Sequence, residues 1–351
     1  MSFPISNAEI AVPQRPRIRT VPEDFQVEEL PLDPPSGDGA FLWLWIEKRL
    51  TNTDDVARTL AKQLDLRPRD VAYAGRKDHR AVTRQWFSVP AACEPGVAGL
   101  ELDGAKVLDH RRSAEGLGVG RLGGNRFLLR VRGVDPETAE RVRFRLDDMA
   151  RRGMPNRYGK QRFGRDGRNA ERGRQILTGE RRRGEPRTGW LMVSALQSAV
   201  FNGVLDHRLE TLDEIWPGDV AMVHATGEFR WVNDVDADRP LAERFAISAT
   251  GPIFGTKMKR PRGRAAELES LVMAEYGLPP VAELKPPKGV RMYGARRSLR
   301  VQPSNASCRY LRGEGALDLA FDLPAGSYAT IFLDELLPAG YEEGPAETPR
   351  P

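Results

Sequence analysis

Short apolar runs separated by turn-forming residues make up the first part of the chain. Their strand-like length, and their content of β-branched and aromatic residues, predict strands rather than helices. The predicted strands are residues 18–30, 40–46, 71–74, 85–89, 105–110 and 127–134. Together with two helices they indicate a mixed α and β region that ends near residue 153.

The two helices are predicted from capping residues and apolar spacing. The first begins at Thr53, whose side chain can cap it, while Asp54 and Asp55 face the positive end of its dipole. The second follows Asp135 as its cap and ends at Gly153. Their apolar stripes are Val56, Leu60 and Leu64 in the first helix, and Ala139, Val142, Leu146 and Met149 in the second.

Beyond residue 153 the pattern changes to arginine-rich loops and short helices. A long helix is predicted at residues 191–209, and alternating apolar positions predict a strand at residues 317–323. Periodicity does not indicate which sheet that strand joins. Residues 1–16 and 338–351 are rich in loop-forming residues, and we expect both ends to be frayed.

Composition shows a chain large enough for two domains, with an uneven distribution of charge. Of its 351 residues 40% are apolar, and the formal net charge is +5. Residues 151–190 hold 13 Arg and Lys against 4 acids, and residues 257–300 hold 11 against 4. A charge run is most often a solvated face, but such a blockwise excess is also the pattern expected for contacts with nucleic-acid phosphates.

Several function classes find no support in the sequence. Cys93 and Cys308 indicate reduced thiols in a cytoplasmic protein, not a disulfide framework. We find no signal-peptide segment and no run of the ~20 apolar residues that span a bilayer. The Gly118-x-Gly120-x-x-Gly123 run leads into a predicted strand, so we interpret it as a loop and not as a dinucleotide site. The four histidines never pair with the cysteines at metal-ligand spacing, so we expect no metal.

One carboxylate is the strongest candidate for chemistry. Residues 74–85 form a turn between two predicted strands and present Asp78 among four Arg and Lys side chains and one histidine. Nearby cations favour the charged form of a carboxylate, and they attract a polyanion. The segment therefore suggests an acid that acts on a nucleic acid, although a solvated turn aspartate has the same charge pattern.

The whole string around Asp78 carries more information than its charge. Gly75-Arg-Lys-Asp-x-x-Ala-x-Thr-x-Gln85 resembles the catalytic motif of the TruD family of tRNA pseudouridine synthases. Five further segments are similar to motifs of this family and follow in its order: residues 21–29, 46–53, 124–127, 155–164 and 323–330. Residues 216–283 match no motif, so their assignment rests on position alone.

The resemblance implies an α+β fold: a pseudouridine-synthase-like, mixed and mainly antiparallel sheet with helices, carrying an inserted α/β TRUD domain. The catalytic domain would be discontinuous, comprising residues 1–153 and 305–351. The basic residues 154–304 would form the inserted RNA-binding domain. The strand at residues 317–323 would then rejoin the sheet of the first domain.

The resemblance also implies roles for individual residues. Asp78 is expected to be the catalytic carboxylate, and Arg19 matches a basic residue that pairs with it, an exposed strand arginine being the alternative. Phe127 matches the active-site phenylalanine, with core packing as the alternative. Three further positions match residues that contact substrate: Phe25, Asn125 and Tyr328. The family usually has phenylalanine at position 328, and the added hydroxyl of Tyr328 needs a partner or water.

The implied activity is an isomerase that converts uridine to pseudouridine in tRNA, with uridine-13 of tRNA(Glu) as the expected target. The carboxylate has to be ionised although shielded from water, and Asp78 acts either as a nucleophile on the sugar or as a base. We expect tRNA as the partner, no cofactor, no membrane, a cytoplasmic location and a monomer. The alternatives are an RNA-binding or RNA-remodelling protein without turnover, and a synthase that acts on another RNA.

Overall fold

A computed structural model describes residues 15–180, 186–281, 283–284 and 292–344. The described residues within 1–146, 304–325 and 336–351 form a first compact unit, and those within 147–303 and 326–335 form a second. Residues 147–153 and 326–335, which were expected in the catalytic domain, group with the second unit. The assignment of catalysis and RNA binding to separate domains stays a prediction.

The helices and strands are numbered in chain order. The helices are α1 (Thr53–Gln63), α2 (Pro136–Arg152), α3 (Asn169–Leu177), α4 (Pro186–Asp206), α5 (Val235–Glu243), α6 (Gly263–Glu275) and α7 (Ala329–Leu336). The strands are β1 (Arg17–Ile18), β2 (Phe25–Pro31), β3 (Phe41–Arg49), β4 (Ala72–Tyr73), β5 (Val82–Pro90), β6 (Ala105–Ser113), β7 (Leu122–Arg132), β8 (Met154–Pro155), β9 (Val220–Val223), β10 (Phe229–Trp231), β11 (Ile247–Ile253), β12 (Ala295–Ser298), β13 (Arg300–Val301), β14 (Ser304–Leu311), β15 (Ala316–Pro324) and β16 (Glu342–Glu343). The glycine run at 118–123 leads into β7, so its interpretation as a loop is confirmed.

The first unit is built on one ten-stranded sheet. Its main path follows the order β14-β15-β7-β2-β5-β3-β6. Among the described strands of this sheet, β2 with β5 and β1 with β16 are the parallel pairs, and the other pairs are antiparallel. The strand predicted at residues 317–323 is β15, which pairs with β7 along its length. The predicted α+β fold with a mixed, mainly antiparallel sheet is confirmed.

The helix α1 packs its apolar stripe on one face of this sheet. The stripe residues Val56 and Leu60 are buried against side chains of β3 and β5. Burying a side chain of this size contributes roughly 1.5–3 kcal/mol. The helix begins at Thr53 as predicted, but the prediction that Thr53 caps it is wrong. Asn52 occupies the N-cap position, because the Thr53 hydroxyl bonds to Lys77 instead.

The opposite face of the sheet carries a row of alternating charges. Successive strands place Lys106, Glu47, Arg84, Glu28, Arg126 and Asp322 directly opposite one another. Glu47 is bonded by Lys106 at 2.9 Å and by Arg84 at 2.8 Å. Although burial raises it, these hydrogen bonds bring the pKa of Glu47 below its usual value. The row places opposite charges side by side on neighbouring strands, which stabilises their pairing.

The second unit has its own four-stranded sheet, ordered β10-β9-β11-β12. The long helix predicted at residues 191–209 is α4, which begins earlier, at Pro186, and ends at Asp206. Its buried side, with Val200 and Phe201, belongs to the core of this unit. Within the described residues, no helix is both long and apolar enough to cross a membrane.

The expectation of a frayed C-terminal end is wrong for residues 342–344. Glu342–Glu343 form β16, which pairs in parallel with β1, and the Gly344 N–H donates to the Ile18 carbonyl at 2.8 Å. The pairing satisfies backbone groups that the edge of the sheet would otherwise leave open. Residues 1–14 and 345–351, to which the same expectation applied, lie outside the described residues.

Candidate active site

Arg19 and Asp78 form an ion pair in the first unit. Arg19 Nη2 donates to Asp78 Oδ2 at 2.7 Å, and the two side chains are 13% and 46% exposed. The structure therefore brings these two predicted residues together, with the carboxylate open to water. Any shielding of the Asp78 carboxylate has to come from a bound ligand.

Two neighbours, Phe25 and Gly344, hold Arg19 in an unusual backbone conformation beside Asp78. Its φ of 53° lies in the left-handed region, which costs a non-glycine residue roughly 1–2 kcal/mol. Its guanidinium lies over the Phe25 ring, 3.9 Å from the centroid. Gly344 packs so closely against it that a Cβ there would lie 2.5 Å from the Arg19 carbonyl oxygen. The β1–β16 pairing thus holds Arg19 in a conformation that the residue would not adopt alone.

Lys48 on β3 anchors the backbone of the Asp78 turn. Its side chain is buried, and its ammonium donates to three carbonyl oxygens: Thr51 at 2.9 Å, Lys77 at 3.3 Å and Asp78 at 2.8 Å. Burial lowers the pKa of Lys48 to about 8, against the opposing effect of the nearby Asp78. The three donors of one ammonium therefore fix where the turn lies on the sheet.

Thr53 and Gln85 hold the same turn from the other side. The Thr53 hydroxyl accepts from the Lys77 N–H at 3.0 Å and donates to Gln85 Oε1 at 2.9 Å. Gln85 Nε2 then donates to the Gly75 carbonyl at 2.9 Å. Both side chains are buried, so these bonds face little competition from water.

A buried ion pair lies directly next to Asp78 in sequence. Lys77 Nζ is 2.8 Å from Glu29 Oε2, and the two side chains are only 5% and 1% exposed. An ion pair this deep is costly to break, because removing one partner leaves a charge without compensation. It ties the turn to β2, the strand that follows Arg19.

Of the predicted aromatic residues, Phe25 lies under Arg19, and Phe127 packs against Phe25 in the sheet. The rings of Phe25 and Phe127 meet edge to face with centroids 6.4 Å apart, and Phe127 stacks on Phe321 at 5.1 Å. Phe25 and Phe127 are 1% and 7% exposed. In the free protein Phe127 is therefore a core residue that packs against Phe25, the ring under the Arg19 guanidinium. Its role toward a substrate stays a prediction.

Asn125 offers an unused polar atom in this region. It lies two residues before Phe127 on the same face of β7, opposite Glu29 of β2. Its Oδ1 is buried, and among the described residues it has no hydrogen-bond partner. Because an unpaired buried acceptor costs about 1–3 kcal/mol, a donor from a ligand would be favoured there.

Tyr328, the remaining predicted site residue, belongs to the second unit. There its ring lies against Gly159, where an added Cβ would be 3.9 Å from ring atoms. Arg297 donates to the Asn156 carbonyl at 3.1 Å and to the Gly326 carbonyl at 2.9 Å. Two segments that carry the family resemblance thus meet around Arg297. The substrate role of Tyr328 stays a prediction.

Sequence reasoning missed Lys48 and Glu29, although both lie in segments that it singled out. A signal was present for each. In β2 the buried positions alternate as Phe25, Val27 and Glu29, and in β3 Lys48 continues the buried alternation of Ile46. A charged residue at an inward-facing position of a strand needs a specific partner, and here the partner is the Asp78 turn.

The described residues contain no cluster of three or more His, Cys, Asp or Glu side chains that could hold a metal ion. The side chains described above make up the site. They supply one accessible carboxylate in a fixed orientation, one guanidinium beside it and one buried amide oxygen without a partner among the described residues. A carboxylate held in this way can act as a base or as a nucleophile, and the amide oxygen can accept a hydrogen bond from a ligand.

Comparisons with known proteins point to one family. The family model described as tRNA pseudouridine synthase D (TruD) matches residues 13–184 and 186–336. The chain is 37% identical over 386 residues to the tRNA pseudouridine synthase D of Geobacter metallireducens, covering 92% of this chain and 95% of the relative. It is 39% identical over 324 residues to a tRNA pseudouridine synthase D of Thermus thermophilus, covering 91% of this chain and 88% of the relative.

A solved structure agrees at the level of the fold. The structure from Methanosarcina mazei that carries the TruD name matches with a TM-score of 0.77 at 22% identity, covering 93% of this chain and 94% of that chain. The family model itself covers nearly all of the residues that form the two units. The chain belongs to the TruD family.

Proposed function

We propose that this chain is an isomerase that converts uridine to pseudouridine in tRNA, and that its target is uridine-13 of tRNA(Glu). The main support is the ion pair between Arg19 and Asp78. Asp78 lies in the turn that carries the family's catalytic motif. Relatives that match nearly the whole chain bear the name of this activity.

The reaction breaks the bond between ribose C1′ and uracil N1, turns the base and joins C1′ to C5. A proton leaves C5 and N1 gains one, so the exchange is redox-neutral and balanced without a co-reactant. Asp78 either attacks the sugar or removes a proton from it. Both routes use the ionised carboxylate, which Arg19 holds in one orientation. Lys48 fixes the turn that carries it.

The target nucleotide has to leave its stack before Asp78 can reach the sugar, at a cost of a few kcal/mol. In this proposal Asn125 Oδ1 accepts a hydrogen bond from a uracil N–H, while Phe25 and Phe127 form the apolar floor beneath Arg19. Tyr328 keeps its proposed role as a substrate contact. Phosphate contacts supply most of the affinity, since extrusion consumes what base stacking gains.

The remaining parts of the proposal concern the cellular setting. The second unit binds the RNA, the enzyme needs neither metal nor organic cofactor, and it works as a monomer in the cytoplasm where tRNA is modified. The uneven charge supports the RNA contact, since residues 151–190 and 257–300 are both strongly basic.

The test compares cellular RNA with and without this protein by mapping carbodiimide-labelled pseudouridine. We expect one site to lose its label without the protein and to regain it with the wild type. Asp78→Asn keeps the size of the side chain but removes its charge, and we expect turnover to fall by at least about 10²–10⁴-fold.

Asp65→Asn is the matched control. Asp65 is exposed, and its φ of 52° suits asparagine at least as well as aspartate. Turnover by Asp78→Asn at the wild-type rate would contradict the catalytic assignment. RNA binding without pseudouridine in any tRNA would favour the binding or remodelling function instead.

A further inference from the structure

A dense run of cations lies in the second unit. The 257–264 strip comprises the loop after β11 and the start of α6, and its five cations are Lys257, Lys259, Arg260, Arg262 and Arg264. Four of them are exposed and Lys259 is partly buried. In the part of the chain that the structure describes, none of the five has a carboxylate oxygen within 4.0 Å. The positive charge of the strip is therefore uncompensated.

Two tryptophans hold three of these cations in place. Lys259 Nζ lies 4.2 Å and Arg262 Cζ 4.6 Å from the centroid of the Trp231 ring. Arg264 Cζ lies 3.8 Å from the centroid of Trp216, which also contacts the buried Arg208 at 3.6 Å. The strip is tied to the sheet as well, since Trp231 Nε1 donates to the Arg260 carbonyl at 2.9 Å.

An indole ring orders a cation without neutralising it. A carboxylate would cancel the charge that a ligand could use, whereas the ring attracts the cation through its quadrupole and carries no net charge. Side chains that are already ordered lose less entropy when they bind. The strip therefore combines full positive charge with pre-organised side chains, which is what a surface for a polyanion requires.

The same geometry disfavours a protein partner. Protein interfaces have an apolar or aromatic centre that becomes buried. In the strip the Trp231 ring is already contacted by Lys259 and Arg262, and Pro261 is buried. Lys259 Nζ also donates to the Phe229 carbonyl at 2.6 Å, so the accessible donors for phosphate oxygens are those of the four exposed cations.

We infer that the 257–264 strip is a binding surface for the phosphate backbone of RNA, with Trp216 and Trp231 as its organising residues. The inference rests on the proposed function for the identity of the RNA as tRNA. It assigns the contact to a defined segment, not to the basic residues of the second unit as a whole.

The first test removes charge. The triple variant Lys257→Gln, Arg260→Gln, Arg262→Gln is compared with Arg141→Gln, Arg143→Gln, Arg239→Gln, which removes equal charge from arginines with acidic partners on exposed helix faces. Binding of unmodified tRNA is measured between about 50 and 200 mM salt. For the strip variant we expect at least a tenfold loss of affinity, and a slope of log affinity against log salt that is smaller by about 2–3.

The second test removes order and keeps charge. Trp231→Leu retains all five cations, so the salt slope should stay at the wild-type value while affinity falls about 2- to 5-fold. Thermal unfolding of each variant reports whether its fold is intact. A lowered salt slope together with lowered affinity after Trp231→Leu would contradict the organising role of the ring.

Two outcomes would overturn the inference. In the first, the strip variant and its control bind tRNA with the same affinity and the same salt slope. In the second, polyglutamate competes for the strip as well as an RNA of equal charge, which would indicate a surface for acidic polypeptides.

A failure of this inference can be distinguished from a failure of the proposed function. Binding that depends on the strip in a protein that makes no pseudouridine would contradict the function and support the strip. Pseudouridine that depends on Asp78, in a strip variant with unaltered tRNA binding, would contradict only the strip.

Discussion

The cations around Asp78 and those of the 257–264 strip are the same residue types in opposite surroundings. Lys48 and Lys77 are buried, and their ammonium groups point at carbonyl or carboxylate oxygens of the protein. The strip's cations are mostly exposed, and three of them contact indole rings. Of these three, Lys259 also donates to the Phe229 carbonyl. A cation whose donors are used internally fixes the fold, whereas one with free donors is available to a ligand. The first group should therefore control stability and turnover, and the second RNA affinity.

The basic residues 151–180 lie between these two cases. Five of their nine cations pair with acids: Arg151 with Asp148, Arg152 with Asp213, Arg157 with Asp206, Arg172 with Asp166, and Arg174 with Glu171 and Glu180. Their charge is largely compensated within the fold. The excess of arginine in the sequence thus overstates what this segment offers to phosphates.

The largest effect is expected from Glu29→Gln. It leaves Lys77 buried without a partner, and we expect the free energy of unfolding to fall by roughly 3–5 kcal/mol. Urea unfolding measures the change. The strip triple variant is the contrast, since exposed substitutions usually stay within about 0.5 kcal/mol. If Glu29→Gln cost no more than the strip variant, the distinction between structural and ligand-binding cations would fail.

Lys48→Met should lower turnover more than RNA binding. The change removes the donor shared by the Lys77 and Asp78 carbonyls, so the turn loses its anchor. We expect kcat to fall about 10- to 100-fold, because small misplacements of a reacting group are costly, while KM for tRNA changes little. Steady-state kinetics separates the two constants. A rise in KM alone would place Lys48 with the ligand-binding cations.

The difference in unfolding free energy between the wild type and Lys48→Met should also depend on pH, which a simple loss of packing would not cause. In the folded protein the pKa of Lys48 is lowered to about 8 from 10.5, so between these pH values the unfolded chain binds more protons. The cost of the buried ammonium is present below about pH 8 and disappears as the pH approaches 10.5. Relative to Lys48→Met, the wild type should gain about 1 kcal/mol per pH unit in this window, as urea unfolding at several pH values can check.

The smallest effect tests the compensated arginines. Asp166→Asn with Asp206→Asn releases Arg172 and Arg157 from their acidic partners. We expect tRNA affinity to rise about 2- to 5-fold and the salt slope to steepen by roughly one to two. Asp65→Asn with Asp103→Asn, two exposed positions, serves as the control for the same change in net charge. Equal gains in tRNA affinity in the test and control variants would show that these ion pairs do not lower the affinity of this segment for RNA.

The fold and the centre of the site followed from sequence to different degrees. Strand alternation predicted much of the sheet. The resemblance to the TruD family pointed to Arg19, Phe25 and Phe127, which the structure brings together with Asp78. Alternation also held the signal for Glu29 and Lys48. The cap at Thr53 was predicted wrongly, because a local preference for capping was overridden by a hydrogen bond to Lys77, which lies 24 residues away.

The sequence did not indicate which charged side chains are paired with an opposite charge in the fold. Whether an arginine is compensated depends on partners that are distant in sequence, such as Arg157 and Asp206, which are 49 residues apart. Trp231 likewise meets Arg262 only after the intervening strand and helix have folded. The position of Tyr328 in the second unit had no signal in periodicity, since the segment is short and lies between β15 and α7.

The β1–β16 pairing has a consequence for synthesis of the protein. Domains form as the chain emerges from the ribosome, N-terminal parts first, and β16 is made after every other described strand and helix. A nascent chain can therefore display the complete strip before Arg19 has the support of Gly344. Such an intermediate would bind RNA without being able to convert its uridine. A product of premature termination would then compete with the finished enzyme for the same RNA.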